Sequence, residues 1–373
     1  MNKSIFSLIL ISLIMSTTDA FSQKTDVNHV EWKTAAQLQN PDGSLSLGFA
    51  GAINGVSNDV LLVTGGANFP DKMPWEGGKK SYSKTIHVLE KCGDKYSWIK
   101  DVKTELPESI AYCGTTTTDL GVVYVGGENE NGLSNKSYIL KWNAAKKEVE
   151  IKSLPNFPFA IANIALTQID NVVYAVGGDE ATKSSDYFAS LDLNDTNSEW
   201  KALPKLPLAL ANSVVIAQKG QNGIGIYVVG GRTKTASGIS DLHHTTFVFD
   251  VKTQQWKNAA AISDGKNTTN FSAGAGVAVG KHSIVIVGGD NGAIFHQIET
   301  YLSQIAQAES PEQKTELIAK KNKLVTNHPG FYSGILLYNT LTDQWKKIGE
   351  LPFLPHVTTP AVLWDKKIIL SNG

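Results

Sequence analysis

An apolar run ending in paired glycines occurs five times along this chain, and no other feature narrows the possible folds as much. Its fullest form is Ile226-Tyr227-Val228-Val229-Gly230-Gly231-Arg232. It returns as Leu62-Val63-Thr64-Gly65-Gly66, Tyr124-Val125-Gly126-Gly127, Tyr174-Ala175-Val176-Gly177-Gly178 and Ile286-Val287-Gly288-Gly289. A sixth copy opens as Lys367-Ile368-Ile369-Leu370, ahead of Ser371-Asn372-Gly373. Successive glycine pairs lie 61, 51, 53 and 58 residues apart. A supersecondary unit repeated at about 50 residues cannot bury its apolar faces alone and must stack on its neighbours. The spacing therefore predicts one four-stranded sheet per repeat, arranged as blades of a closed β-propeller.

Regular repeats override the two or three domains that 373 residues would otherwise suggest, so residues 21–373 read as a single domain. Lys plus Arg number 34 against 35 Asp plus Glu, and no basic field favours nucleic acid or an anionic membrane. The first twenty residues read as an export signal: Lys3, an apolar core from Ile5 to Met15, and small residues up to Ala20. That core is too short to span a bilayer, so a periplasmic or secreted protein with no membrane attachment is expected after cleavage. Cys92 and Cys113 are the two cysteines. An oxidising compartment would allow one bond between them, which geometry and not sequence decides.

Along the chain, Trp32 in Val30-Glu31-Trp32-Lys33 matches the outer-strand tryptophans Trp98, Trp200, Trp256 and Trp345. No Gly-Gly strand precedes it. The segment is expected to be a lone outer strand closing the blade begun by Pro360 to Trp364 and Lys367 to Leu370, which would leave no open ring. Blade two lacks the outer tryptophan, and Trp142 comes too early for that position. Between about 295 and 327, Ile298, Leu302 and Ile305 follow helical spacing, and Ser310-Pro311-Glu312-Gln313 reads as the capped start of a second helix. The predicted fold is all-β, a six-bladed kelch-type β-propeller with a helical insertion in blade five that serves as a lid or as packing alone.

Residues after each glycine pair, and those leading into each innermost strand, converge on one end of a propeller. The first set carries Asn68, Glu128, Asp179, Glu180, Arg232, Asp290 and Asn291; the second carries Tyr112, Asn163, Asn212, Asn270 and His356. Such a mouth suits a small polar ligand, although Asn and Asp also cap turns. Arg232 is the sole arginine in the sequence. Its planar donor fork fits a carboxylate where lysine offers a point charge, so it marks either an acidic ligand or a structural ion pair. The long excursion containing Trp75, Glu76, Lys79, Lys80 and Tyr82 offers a stacking surface and proton-transfer groups at Glu76 or Lys79, or else is a solvated flap. No metal site is expected: His243 and His244 are adjacent and would face opposite sides of a strand. Gly274-Ala275-Gly276 lacks dinucleotide-loop spacing.

Three stretches are similar to the kelch-type N-acetylneuraminate epimerases, or sialic acid mutarotases, in their cyclically permuted branch. They are Gly48-Phe49-Ala50-Gly51 through Gly65-Gly66, the Glu76 to Ser83 loop leading to Ile86-His87, and Gly288-Gly289-Asp290-Asn291 with the helical insertion. The resemblance implies a six-bladed propeller that interconverts the α and β anomers of N-acetylneuraminate in the periplasm without a cofactor. It also implies an arginine on the sugar carboxylate, for which Arg232 is the candidate, with Asn68, Tyr112, Glu128, Asn163, Asn212, Asn291 and His356 as further binding residues. In the family a Gly-Glu-x-x-Pro-Gly-x-Arg-Thr motif follows the last strand and carries the glutamate taken as base. Here it would fall just beyond Gly373. Either the sequence stops short of it, which an otherwise unpaired sheet edge favours, or this version lacks it. The alternative function is a non-catalytic carbohydrate- or protein-binding propeller. The resemblance leaves oligomeric state open.

Overall fold

A computed structural model describes residues 27, 30–40 and 42–371. The proposed export signal lies outside these residues. Five four-stranded antiparallel sheets follow one another in chain order. Their innermost strands are Ile53–Ser57, Gly114–Thr118, Ala165–Ile169, Val214–Gly220 and Ala275–Val279. A sixth sheet, between the fifth and the first, has two strands, Ala361–Trp364 and Lys367–Leu370. Five four-stranded blades thus stand where six blades were expected, and the sixth repeat, whose third strand was expected to be missing, is a two-stranded sheet. Val30–Lys33 forms no strand ladder, although Val30 and Trp32 pack in one cluster with Ile348, Ala361, Ile368 and Leu370.

The second strand of a blade explains why the repeat is apolar without alternation. Val60–Thr64 and Gly121–Val125 are buried at every position, because each blade presses one face on the preceding blade and the other on the next. Six apolar clusters fill the seams around the ring, the last joining Leu61, Val63 and Leu89 of blade one to Trp364 of the sixth sheet. Outer-strand tryptophans recur for a further reason: the indoles of Trp200, Trp256 and Trp345 donate to carbonyls of Pro155, Pro204 and Ala260 at 2.8–3.0 Å, stitching each blade to the one before.

Blade two conserves volume without the outer tryptophan. Trp256 pairs across the ladder with Phe249, and Trp345 with Tyr338. In blade two the same pairing sets Val149 opposite Trp142. The bulky ring has moved one strand inward, and Trp142 is 2% exposed there.

Cys92 and Cys113 are both free thiols. Cys92 is exposed, while Cys113 donates to the Gly126 carbonyl at 3.2 Å and burial pushes its thiol far up. Since the thiolate is the reactive form, iodoacetamide is expected to add once to the native protein and twice after denaturation, by intact mass. Two native adducts would show that the half-buried Cys113 thiol ionises in the folded protein.

The insertion in blade five is a helical hairpin, α1 (Phe295–Gln307) and α2 (Pro311–Thr326). Ser310 Oγ caps α2 by accepting from Gln313 N at 3.1 Å, with Pro311 in the first turn. The carboxylate of Glu299 on α1 accepts from Ser240 N and Oγ at 2.6 and 2.9 Å. This docks the hairpin on the blade-four excursion that begins at Arg232.

Candidate functional site: the mouth of the ring

The glycine pairs build the mouth through sterics. At the first glycine of each pair φ lies between +60° and +69°. A Cβ there would fall 2.0–2.6 Å from a carbonyl oxygen of the next repeat: Ile110, Ile161, Leu210, Phe271 and His356 in turn. The second glycine donates its N–H to that same carbonyl at 2.8–3.1 Å. Only glycine fits both demands.

Two residues beyond each of these carbonyls the chain enters the left-handed region, at Tyr112, Asn163, Asn212, Ala273 and Thr358, with Gly51 completing the set. The six form a closed cycle of backbone hydrogen bonds. Tyr112 N donates to Gly51 O, Asn163 N to Tyr112 O, Asn212 N to Asn163 O, Ala273 N to Asn212 O, Thr358 N to Ala273 O and Gly51 N to Thr358 O, all within 2.7–3.1 Å. Left-handed backbone costs non-glycine residues about 1–3 kcal/mol each and persists only where surroundings impose it, as this cycle does. Its amides and carbonyls are committed to one another, so side chains must face any ligand. Below lies an axial cavity of about 460 Å³, lined by residues that include Asn54, Thr115, Thr117, Gln168 and Ile216.

Residues directly after the glycine pairs form a second circle: Ala67, Glu128, Asp179, Arg232 and Asp290, of which the last four were expected at the mouth. Asp179 is saturated. Its Oδ2 accepts from Arg232 at 2.6 Å and from Asn163 Nδ2 at 3.0 Å; its Oδ1 accepts from Ser184 Oγ at 3.1 Å and faces Lys234 Nζ at 3.6 Å. One carboxylate thus answers two cations, leaving the cluster with a surplus positive charge. The contact to Arg232 runs through one terminal nitrogen, and the rest of its fork is free among the described residues.

Glu128 occupies the corresponding station in blade two and is used differently. Its Oε1 accepts from Lys80 Nζ at 3.1 Å and from the Tyr82 hydroxyl at 2.9 Å, and Oε2 has no partner among the described residues. Lys80 also lies over the Tyr112 ring, 4.9 Å from its centroid. Burial alone would lower Lys80, but neighbouring Tyr112 and the bond to Glu128 more than offset it and leave the ammonium raised.

The remaining expected residues divide. Asn212 lines the cavity, and its side-chain amide makes no hydrogen bond among the described residues. Asn68 and Asn291 lie one register past the second circle and serve the backbone, donating to Gly48 O at 3.0 Å and accepting from Ala293 N at 3.0 Å. His356 is not a member of the inner cycle. It sits in the register of buried Ile110, Ile161, Leu210 and Phe271, its ring against Phe353, and burial lowers it so that it is neutral at pH 7. Thr358 holds the cycle position, and Ala273 holds the one expected of Asn270. Glu76 is exposed, its carboxylate accepting from Met73 N at 3.1 Å to close a single turn, and Lys79 is exposed beside it. His243 and His244 take separate partners, Thr233 and Asn270.

Ser184 and Lys234 were missed because no motif marks them, and Tyr82 was noted only as part of the excursion. Lys234 follows Arg232 by two residues, which on a strand is the same face, and that spacing was the available signal.

The mouth of this kelch-type propeller gathers one arginine, two lysines and three differently bonded carboxylates, Glu128, Asp179 and Asp290. The family model described as N-acetylneuraminate epimerase matches residues 13–151 and 154–373, and the chain belongs to that family. It is 39% identical over 129 residues to the N-acetylneuraminate epimerase of Vibrio cholerae, a match covering 32% of each chain. A Haemophilus influenzae epimerase of the same name is 33% identical over 142 residues, 36% of this chain and 37% of the relative. The Yersinia pestis protein is 28% identical over 227 residues, 59% of this chain and 53% of the relative. The matched segments therefore span about a third to a half of these relatives' length.

Proposed function

We propose that this protein is an N-acetylneuraminate epimerase, opening and reclosing the sugar ring so that α and β anomers interconvert, and that it works in the periplasm once residues 1–20 are removed. The ring is six-bladed in this reading, with the segment around Trp32 alongside the sixth sheet. The observation that carries it is the surplus positive charge where Arg232 and Lys234 share Asp179 at the mouth of a member of this family. A sialic acid carboxylate would answer that charge through the free part of the Arg232 fork. Anomer exchange then needs one proton taken from the anomeric hydroxyl and one given to the ring oxygen, with no cofactor.

The test is proton NMR of freshly released α-N-acetylneuraminate, following its decay to the β anomer with and without protein. Acceleration is expected. Arg232→Lys should weaken sugar binding about tenfold, since a lost fork contact is worth about 1.4 kcal/mol. No acceleration, with sugar binding retained, would replace this reading with that of a binding propeller. Unchanged affinity in Arg232→Lys would remove Arg232 from the site.

A further inference from the structure

Arg232 stands on a ribbon that cannot hold its own shape. Arg232–Thr233 and Asp241–Leu242 pair over two residues each, with residues 234–240 between them. A two-stranded ribbon so short is marginal in water and depends on what packs against it. Toward blade three it is tied by Arg232 to Asp179, by Lys234 N to Ser184 Oγ at 3.0 Å and by Lys234 Nζ to Glu180 O at 3.3 Å. Toward blade five its supports come from the helical insertion. The carboxylate of Glu299 accepts from both N and Oγ of Ser240, a residue only 3% exposed, and Ser303 Oγ donates to Ser237 O at 3.2 Å. Just ahead of α1, Gly292 packs so closely on the ribbon that a Cβ there would lie 3.0 Å from Leu242 Cδ2. Neither helix contains a buried residue, so the hairpin adds little to any core. What α1 does supply is a carboxylate bonded twice to the far end of the ribbon, and hydrogen bonds to a charged group are the stronger kind.

We propose that Glu299 is a positioning residue for Arg232: by holding Ser240 it fixes the ribbon from the side opposite Asp179, so that the open part of the Arg232 fork stays turned to the ligand carboxylate. The proposal rests on the reading of Arg232 given above. The blade-five hairpin is then a brace for its neighbour's ribbon, and not a lid. With the brace released, Arg232 spends part of its time in arrangements that do not present the fork, and apparent affinity falls by the fraction of time that it does. The sign of the effect separates it from electrostatics. Removing the negative charge of Glu299 would by itself favour an anionic ligand, so weaker binding in its absence reports lost positioning.

The test measures N-acetylneuraminate affinity by calorimetry and kcat in the NMR assay for wild type, Glu299→Ala, Glu299→Gln, Arg232→Lys and the double variant Glu299→Ala with Arg232→Lys. Glu299→Ala is expected to bind about fivefold more weakly, with kcat at saturating sugar within about twofold, because only the competent fraction changes. Glu299→Gln removes the same charge but keeps an acceptor for Ser240 N, and should lose no more than about twofold. In the double variant, Glu299→Ala should cost less than about twofold beyond Arg232→Lys, since it acts through the fork; a merely structural role would give additive losses. All the variants are expected to fold, as neither helix reaches the core. Unchanged affinity in Glu299→Ala overturns the proposal while leaving Arg232 in the site, and so does a fivefold loss that persists in full beside Arg232→Lys, or a loss of kcat with affinity intact. Unchanged affinity in Arg232→Lys overturns both. A wild type that binds the sugar without accelerating exchange removes the epimerase reading alone, and the affinity measurements still decide the role of Glu299.

Discussion

Gly230→Ala is expected to destabilise the protein by roughly 2–5 kcal/mol, the sum of about 1–2 for a left-handed alanine and roughly 1–3 for forced overpacking. The added Cβ would lie 2.0 Å from the Phe271 carbonyl oxygen, and φ is +60°. That carbonyl already accepts the N–H of Gly231 at 2.8 Å, so moving it breaks the joint between blades four and five. Gly238→Ala separates the two causes, because there φ is +77° and nothing lies within 4 Å of the new Cβ. It should cost only about 1–2 kcal/mol. Urea unfolding of the two variants decides the matter: equal losses would mean that backbone conformation, and not the carbonyl contact, selects the glycine.

Asp179→Ala is the second large effect. Its carboxylate is 3% exposed and the Arg232 side chain 14%, so truncation strands a nearly buried guanidinium and leaves Asn163 and Ser184 without their acceptor. Removing one member of a buried pair costs about 3–5 kcal/mol, and Lys234, at 34% exposure, adds little. Adding Arg232→Met to Asp179→Ala should recover part of the loss, because the unpaired charge goes with it. A loss under about 1 kcal/mol in the single variant would show that water reaches Arg232 and that Asp179 is not its anchor.

Much of the propeller was readable because its cause is local. An apolar strand ending in two glycines needs no distant information to be recognised, and its period counts the blades. The same reasoning saw that Trp142 comes too early for the outer strand of blade two but not what compensates for it, because cross-strand volume belongs to a pair: Trp142 and Val149 exchange roles without changing what the seam contains. It set His356 at the mouth because a histidine near a turn resembles a site residue. The backbone register instead aligns His356 with four apolar residues and gives the cycle position to Thr358, a β-branched residue that no propensity would assign to φ 54°.

Glu76 and Lys79 were read as chemical groups from the right excursion, but Lys80 is the residue that reaches the mouth, and loop composition cannot say which of two adjacent lysines turns inward. Blade order, the glycine joints and Arg232 as the distinctive cation follow from the sequence itself, because each is a local pattern or a residue identity. Which mouth groups are spent on one another, and which are left open, was decided by tertiary structure alone. The deciding contacts join Arg232 to Asp179 across 53 residues and Lys80 to Glu128 across 48, between neighbouring blades that pack face to face.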